Sequence, residues 1–261
     1  MRSIAIVTGA SSGVGGEFAR QLDQGAGGAL DELWLVARGA ERLEATRAQC
    51  STPCRVFALD LTRPQSIDAL AEALDEAGAR VRWLINSAGF GRFGSFGSIS
   101  RDDEVNMVRL NCGAVVGLCH LALPHMDGGS CIVNMSSVAG LAPQPELSCY
   151  SATKRFVLDL SRTLNYELEP VGIHVCAVCP KFMDTGFLAN AGDARAVRRM
   201  TTIGYEQPRR VVRKALAAAG RGSATCVPSW DAKFIHVAVK LLPSALTLHA
   251  QDLLFTLLSG V

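Results

Sequence analysis

The 261-residue chain carries little net charge: 26 Lys and Arg face 24 Asp and Glu, a formal +2 at pH 7. Its cations are scattered, so the basic footprint that a nucleic-acid partner demands is missing, and the Arg198-Arg199 and Arg209-Arg210 pairs read as solvated. No apolar run approaches the ~18 residues needed to cross a bilayer. The chain opens on Arg2-Ser-Ile-Ala-Ile-Val-Thr8, already strand-like, which leaves no room for a signal or transit peptide. A soluble, cytoplasmic protein is the expectation. No linker, internal repeat or low-complexity tract divides the sequence. With 49% hydrophobic and 19% charged residues, it suits one large α/β domain around a substantial core.

A metal framework is missing too. The nine cysteines are odd in number, and Cys50 and Cys54 have no second pair at zinc-ligand spacing. Cys176-x-x-Cys179 lies in the β-branched run Ile173 to Pro180, where residues three apart face opposite sides of a sheet. Free structural thiols in a reducing compartment follow, with no bound metal.

What is present is an alternation of apolar strands and amphipathic helices. Ile4 to Val7 runs into Thr8-Gly9-Ala-Ser-Ser-Gly13-Val-Gly15 and then a helical stretch to Gln24. Strand, glycine turn and helix together suit a dinucleotide: glycines let the backbone approach a pyrophosphate, and the helix N-terminus offers free N–H groups. A second strand, Leu33 to Ala37, ends where an acid would bind an adenosine ribose 2′-hydroxyl, yet that place holds Ala37 followed by Arg38. A guanidinium there suits a 2′-phosphate. Further strands are expected at Arg55–Leu59, Trp83–Asn86, Cys131–Met135 and Ala224–Val227, with helices at 64–77, 102–126, 150–169 and 208–219. Such alternation predicts an α/β fold with a parallel sheet and helices on both faces. Gly9, Arg38, Asp60, Asn86, Ser137 and Pro180 each fall at or just past a strand's carboxyl end, the edge where ligands bind.

Tyr150-Ser-Ala-Thr-Lys154 places a phenol and an ammonium one helical turn apart on one face. A fixed cation beside a tyrosine, whose ordinary pKa is ~10, should bring it toward a working acid-base range. Ser137 adds a hydroxyl beside the same reacting oxygen. The tail beyond Ser229 is apolar: Ile235, Val239, Leu242, Leu246, Leu253, Leu254, Leu257 and Leu258 recur at helical spacing, predicting two short helices hinged at Pro243. Few cations accompany them, so the tail is expected to cover the pocket mouth or a subunit contact, with a membrane surface ranked last.

With these motifs in place, residues 1 to about 228 resemble the short-chain dehydrogenase/reductase superfamily. The resemblance rests on ordered pieces at family spacing: Thr8-Gly9-x-x-x-Gly13-x-Gly15, Asp60, Asn86-Ser-Ala-Gly89, Asn111, Ser137, Tyr150, Lys154, and Pro180 with Thr185. It implies a Rossmann-like, doubly wound parallel sheet of about seven strands, and NAD(P)(H)-dependent exchange of hydride between nicotinamide and an alcohol or carbonyl, here with NADP(H) preferred over NAD(H). Tyr150 is then the proton donor, Ser137 binds the substrate oxygen, Lys154 holds the ribose and biases Tyr150, and Asn111 positions a relay water. Gly9, Ser11, Ser12, Gly13, Val14 and Gly15 form the cofactor cradle, joined by Asp60 with Leu61 near adenine. Asn86, Ala88 and Gly89 lie along the ribose and pyrophosphate, and Pro180, Met183 and Thr185 near the carboxamide.

Family pocket positions map to Leu141, Gln144, Leu147, Phe182, Phe187 and Leu188, with the Phe93 loop. That mostly apolar wall favours a bulky ketone or secondary alcohol, steroid-like or fatty. Lys181, where the family has Gly, is expected to point into solvent. The resemblance also implies a homodimer or homotetramer paired through the 102–126 and 150–169 helices. Residues 181–204 are expected to form a substrate lid, and 229–261 a helical extension of the same domain. A catalytically silent NADP-binding scaffold is the competing reading, and an epimerase or dehydratase a third.

Overall fold

The computed structural model describes residues 2–183, 185–187, 191–201, 204–240 and 243–259. Its centre is a seven-stranded, wholly parallel sheet. The strands are β1 (Ser3–Thr8), β2 (Glu32–Ala37), β3 (Cys54–Ala58), β4 (Arg80–Asn86), β5 (Cys131–Met135) and β6 (His174–Val178), with β7 (Phe182–Met183) and β8 (Tyr205–Glu206) forming a separate small pair. β9 (Thr225–Cys226) closes the far edge, giving the order β3-β2-β1-β4-β5-β6-β9. The chain reverses direction across the sheet between β1 and β4, so a crevice opens at their carboxyl ends.

Because side chains alternate along a strand, each strand feeds two cores. One face carries Ala5, Val7, Leu33, Leu35, Ile85, Val133 and Cys176, covered by α1 (Gly13–Asp23) and α8 (Pro208–Ala219). The other carries Ile4, Ile6, Trp34, Val36, Leu84, Ile132 and Val175, covered by α3 (Pro64–Ala77) and a long helical run. α2 (Ala40–Arg47) packs at the edge beside β2 and β3. Cys176 and Cys179 fall in different clusters, and all nine thiols are free.

The long run joins α4 (Arg101–Val108), a π turn (Arg109–Ala114) and α5 (Val115–Ala122). Here the expectation that nothing approaches membrane-spanning length needs correcting. Arg101–His125 is long and apolar enough by length and composition, with a mean hydropathy of 1.4. Its apolar stripe is instead the second core, where Val115, Leu118, Cys119 and Ala122 lie against the sheet. The 21-residue α6 (Ser148–Leu168) follows the same face, and α7 (Ala194–Thr201) lies beyond β7.

Two helices, α9 (Trp230–Lys240) and α10 (Ser244–Ser259), flank Pro243. Of the tail residues singled out in the sequence, Leu246 and Leu253 are exposed, while the side chains of Ile235, Val239, Leu242, Leu254, Leu257 and Leu258 lie outside the described residues. Trp230, Phe234 and Val237 are exposed as well.

Candidate active site

The glycine turn is shaped by contact with its own backbone. A Cβ on Gly15 would sit 2.2 Å from the Gly9 carbonyl oxygen, and one on Gly9 would meet the Ala88 backbone at 3.0 Å. Gly9 and Gly13 also have φ of 68° and 55°, which glycine reaches without strain. Thr8 ties this turn to the end of β4: its hydroxyl accepts from the Ser87 and Ala88 N–H groups, both at 3.0 Å. Thr8 was not among the expected site residues. Its signals are its place at the end of a strand and its position as the first residue of the glycine motif.

A cavity of 630 Å³ opens beside the turn, lined by Ser11, Ser12, Gly13, Arg42, Thr185 and Gly186 among others. Gly13 lies against Thr185, with 3.4 Å between its would-be Cβ and the threonine Cβ, so the glycine turn and the loop after β6 meet. Val14 and Met183 share the edge of the first core. Arg38 lies close enough to Asp60 to help hold its carboxyl down. Burial pushes that carboxyl up, but hydrogen bonds from Thr62 and the charges of Arg38 and Arg63 leave it below the ordinary range. Arg42, one turn into α2, lays its guanidinium over Gly39 beside Arg38, a neighbour that the strand pattern did not single out. A backbone cradle that tolerates no Cβ, an α-helix N-terminus and two guanidinium groups make a donor set that fits a phosphorylated dinucleotide.

Two expected cofactor residues point inward instead. Leu61 is buried in the second core. Asn86 donates to Asn134 at 2.8 Å, and Asn134 to Ser161 at 2.9 Å, so its side chain braces β4 against β5 and α6.

The catalytic candidates are set by α6. Ser136 at the end of β5 donates to the Lys154 carbonyl at 2.7 Å, and a Cβ on Gly140 would lie 2.6 Å from that same oxygen, so the helix is docked tightly onto the strand end. Tyr150 and Lys154 are both buried on the face turned to β5. The Ser137 hydroxyl stands near enough to the Tyr150 phenol to favour its ionised form, and the Lys154 Nζ lies 5.6 Å from the phenol's ring centroid. Lys154 donates to the Met135 carbonyl at 2.8 Å.

The electrostatics overturn one expectation. Burial pushes Tyr150 up to about 12, offset only in part by Ser137, and burial brings Lys154 down to about 8. The ammonium is held against the Met135 carbonyl and the flat of the ring, so desolvation outweighs its attraction for a phenolate. Tyr150 therefore stands as a protonated phenol at neutral pH, a proton donor.

Asn111 sits on the π turn of the long helix, a distortion common at functional sites. Its side chain clamps the loop after β4, accepting from Phe90 N–H at 3.1 Å and donating to the Phe90 carbonyl at 2.9 Å and Thr153 Oγ1 at 3.2 Å. The side-chain amide of Asn111 is thus committed to protein partners. Gly89 is required beside it, since a Cβ there would lie 2.9 Å from Asn111 Oδ1.

Around Tyr150 the wall is aromatic. Phe93 meets it edge-on with centroids 6.1 Å apart, Phe187 stands 6.0 Å away, and Phe182 packs on Phe93 at 5.9 Å. Leu147 belongs to this cluster, whereas Leu141 packs in another one with Ala232 of α9. Gln144 lies on the same loop as Leu147, where Glu146 adopts a left-handed φ of 60°. Leu188 lies outside the described residues. The other correction concerns Lys181. It does not point into solvent: its side chain is 11% exposed and pairs with Asp231 at 2.6 Å.

Residues 3–196 match the short chain dehydrogenase family. The chain is 33% identical to sulfoacetaldehyde reductase of Chromohalobacter salexigens, over 75% of this chain and 79% of that one. This chain is a short-chain dehydrogenase. A short-chain dehydrogenase from Sphingobium yanoikuyae in complex with NADPH shares its fold with a TM-score of 0.76 and 32% identity, over 90% of this chain and 92% of that one. The bulky-bulky ketone specific alcohol dehydrogenase from Comamonas testosteroni matches at a TM-score of 0.72 and 28% identity, over 92% of each chain. The short-chain dehydrogenase is accordingly an oxidoreductase of an NAD(P)-binding family, and its sheet and flanking helices are the family's.

Proposed function

We propose that this oxidoreductase uses NADP(H) to reduce bulky, apolar ketones, and in reverse oxidises the corresponding secondary alcohols. The observation that carries the reading is Ser137 beside the buried Tyr150 and Lys154, with a wall of Phe93, Phe182, Phe187 and Leu147 around the phenol. Ser11, Ser12, Gly13 and Thr185 would hold the cofactor's phosphates, and Arg38 with Arg42 its 2′-phosphate. Bound there, the reduced nicotinamide supplies hydride to the carbonyl carbon. The chain's own part is to receive the oxygen: Ser137 donates to it, Tyr150 gives up its proton as negative charge develops, and Lys154 steadies that charge from behind the ring. Aromatic packing around Tyr150 excludes water and offers few polar partners, which disfavours sugars. The NADPH-bound relative and the bulky-ketone alcohol dehydrogenase support the same reading. Consumption of NADPH against a panel of steroid, fatty and aryl ketones and of sugars tests it. Turnover confined to sugars would sink the substrate assignment.

Cofactor choice has its own test. Arg38 without an acid at Ala37 should make NADPH bind more tightly than NADH by ~1 to 3 kcal/mol. Fluorescence titration should show Arg38→Ala losing most of that margin on the NADPH side alone. Equal affinities in the unmodified protein would contradict the assignment.

A two-fold assembly completes the reading. Val105, Val108 and Phe156 are exposed apolar residues on α4 and α6, helices proposed to pair across a dimer axis. Light scattering should give a mass at least double 27.7 kDa. A single 27.7 kDa species at micromolar concentration would remove the dimer.

A further inference from the structure

Lys181 stands where the polypeptide leaves β6 for the segment that borders both cofactor and substrate. Pro180 before it accepts a hydrogen bond from Val138 N–H at 3.0 Å, next to Ser137. Lys181 N–H donates to Glu206 Oε2 at 2.8 Å, and β7 immediately after it pairs with β8 through Phe182 with Tyr205 and Met183 with Glu206. Its ammonium reaches out of this segment altogether, to Asp231 Oδ2 at 2.6 Å in the first turn of α9. Fifty residues of chain separate the two partners.

Among the described side chains of α9, Ala232 is buried, against Leu141, Leu158, Ala177, Cys179 and Val227, while Trp230, Lys233, Phe234 and Val237 are exposed. Lys214 holds the approach to the helix by donating to the Pro228 carbonyl. The lysine of this ion pair is 11% exposed, so removing Asp231 takes a close charge-assisted contact away from a largely desolvated ammonium. In the other direction, the segment beginning at Lys181 contacts the site at three places: Phe182 on Phe93, Thr185 on Gly13 of the glycine turn, and Phe187 on Tyr150.

We propose that Lys181 and Asp231 form a latch that seats the C-terminal helix on the loop after β6, and that through it the tail positions Met183 and Thr185 against the cofactor. Both are positioning residues. Asp231 supplies the anchor, Glu206 fixes the backbone of Lys181, and the ammonium spans the gap. The second half of this proposal rests on the dinucleotide reading above.

The test uses the full-length chain as Lys181→Met, Asp231→Asn, the double variant and Lys181→Arg. Trypsin cleavage after Lys233 and Lys240 is followed by mass spectrometry with and without NADPH, and NADPH affinity by fluorescence titration. Each single neutralisation should speed tail cleavage and weaken NADPH binding by ~10-fold, about 1.4 kcal/mol, with kcat at saturation little changed. The double variant should be no worse than either single, since one interaction is lost only once, and Lys181→Arg should stay close to the parent. Parental cleavage rates in the single variants, or losses that add in the double, would overturn the latch. Faster cleavage with unchanged NADPH affinity would overturn its positioning role. If the parent protein binds no NADPH while both neutral variants still open the tail, the cofactor reading fails and the latch itself stands.

Discussion

Replacing Tyr150 with phenylalanine should lower kcat for ketone reduction by ~100-fold or more and leave NADPH affinity nearly unchanged. The substitution removes one oxygen and keeps the ring that Phe93 and Phe187 pack against, so the wall survives and the proton donor is lost. The pH dependence sharpens the test. With the phenol pushed up to about 12, its donating form persists well past the ordinary tyrosine range, so reduction should not fall through phenol titration at ~10. Oxidation needs the phenolate and should climb over the same interval. Lys154, brought down to about 8, loses its charge as pH rises through that value. A loss of rate near pH 8 therefore reports the lysine, and its removal in Lys154→Met while the plateau persists would separate the two groups. Full turnover in Tyr150→Phe would contradict the assignment of the donor.

The second large effect is expected at Gly15. An alanine Cβ there would stand 2.2 Å from the Gly9 carbonyl oxygen and 2.5 Å from its carbon, both backbone atoms that no rotamer change can move aside. The turn must open, at ~1–3 kcal/mol or more for an overpacked site. For a chain of this size each kcal/mol lowers Tm by roughly 2–4 °C, so calorimetry should register a clear drop. Gly9 and Gly13 shift with the turn, and NADPH affinity should fall by ~10-fold or more. Gly16→Ala is the control: its would-be Cβ has 3.5 Å to the nearest atom, an ordinary contact. Equal behaviour of the two alanine variants would show that the cradle does not depend on that close approach.

Much of this was legible in the sequence because short-range rules govern it. The glycine turn between Val7 and Gly15 had to join a strand to a helix, and the spacing of Tyr150 and Lys154 put both on one helical face. The seven parallel strands followed from apolar runs separated by amphipathic ones. What escaped the sequence depends on partners far along the chain. Asn86 turned inward because Asn134, 48 residues away, offers it a carbonyl. Asn111 gave its amide to Phe90 and Thr153, and Lys181 found Asp231 in the tail. A pairing between a cation and an acid fifty residues apart leaves no local periodicity. The lowered tyrosine failed for a different reason: spacing places the lysine near the ring but does not say how deeply both are buried, and burial decided the direction.

The central claim is that this chain moves a hydride between NADP(H) and a bulky apolar ketone at Tyr150. It is tested most directly by incubating the protein with NADPH deuterated at the transferable position and a bulky aryl or steroid ketone, and reading the alcohol product by mass spectrometry. The account predicts one deuterium on the carbinol carbon, formed with the parent protein and suppressed ~100-fold with Tyr150→Phe. Unlabelled alcohol, or labelled alcohol formed equally well by both proteins, would contradict it.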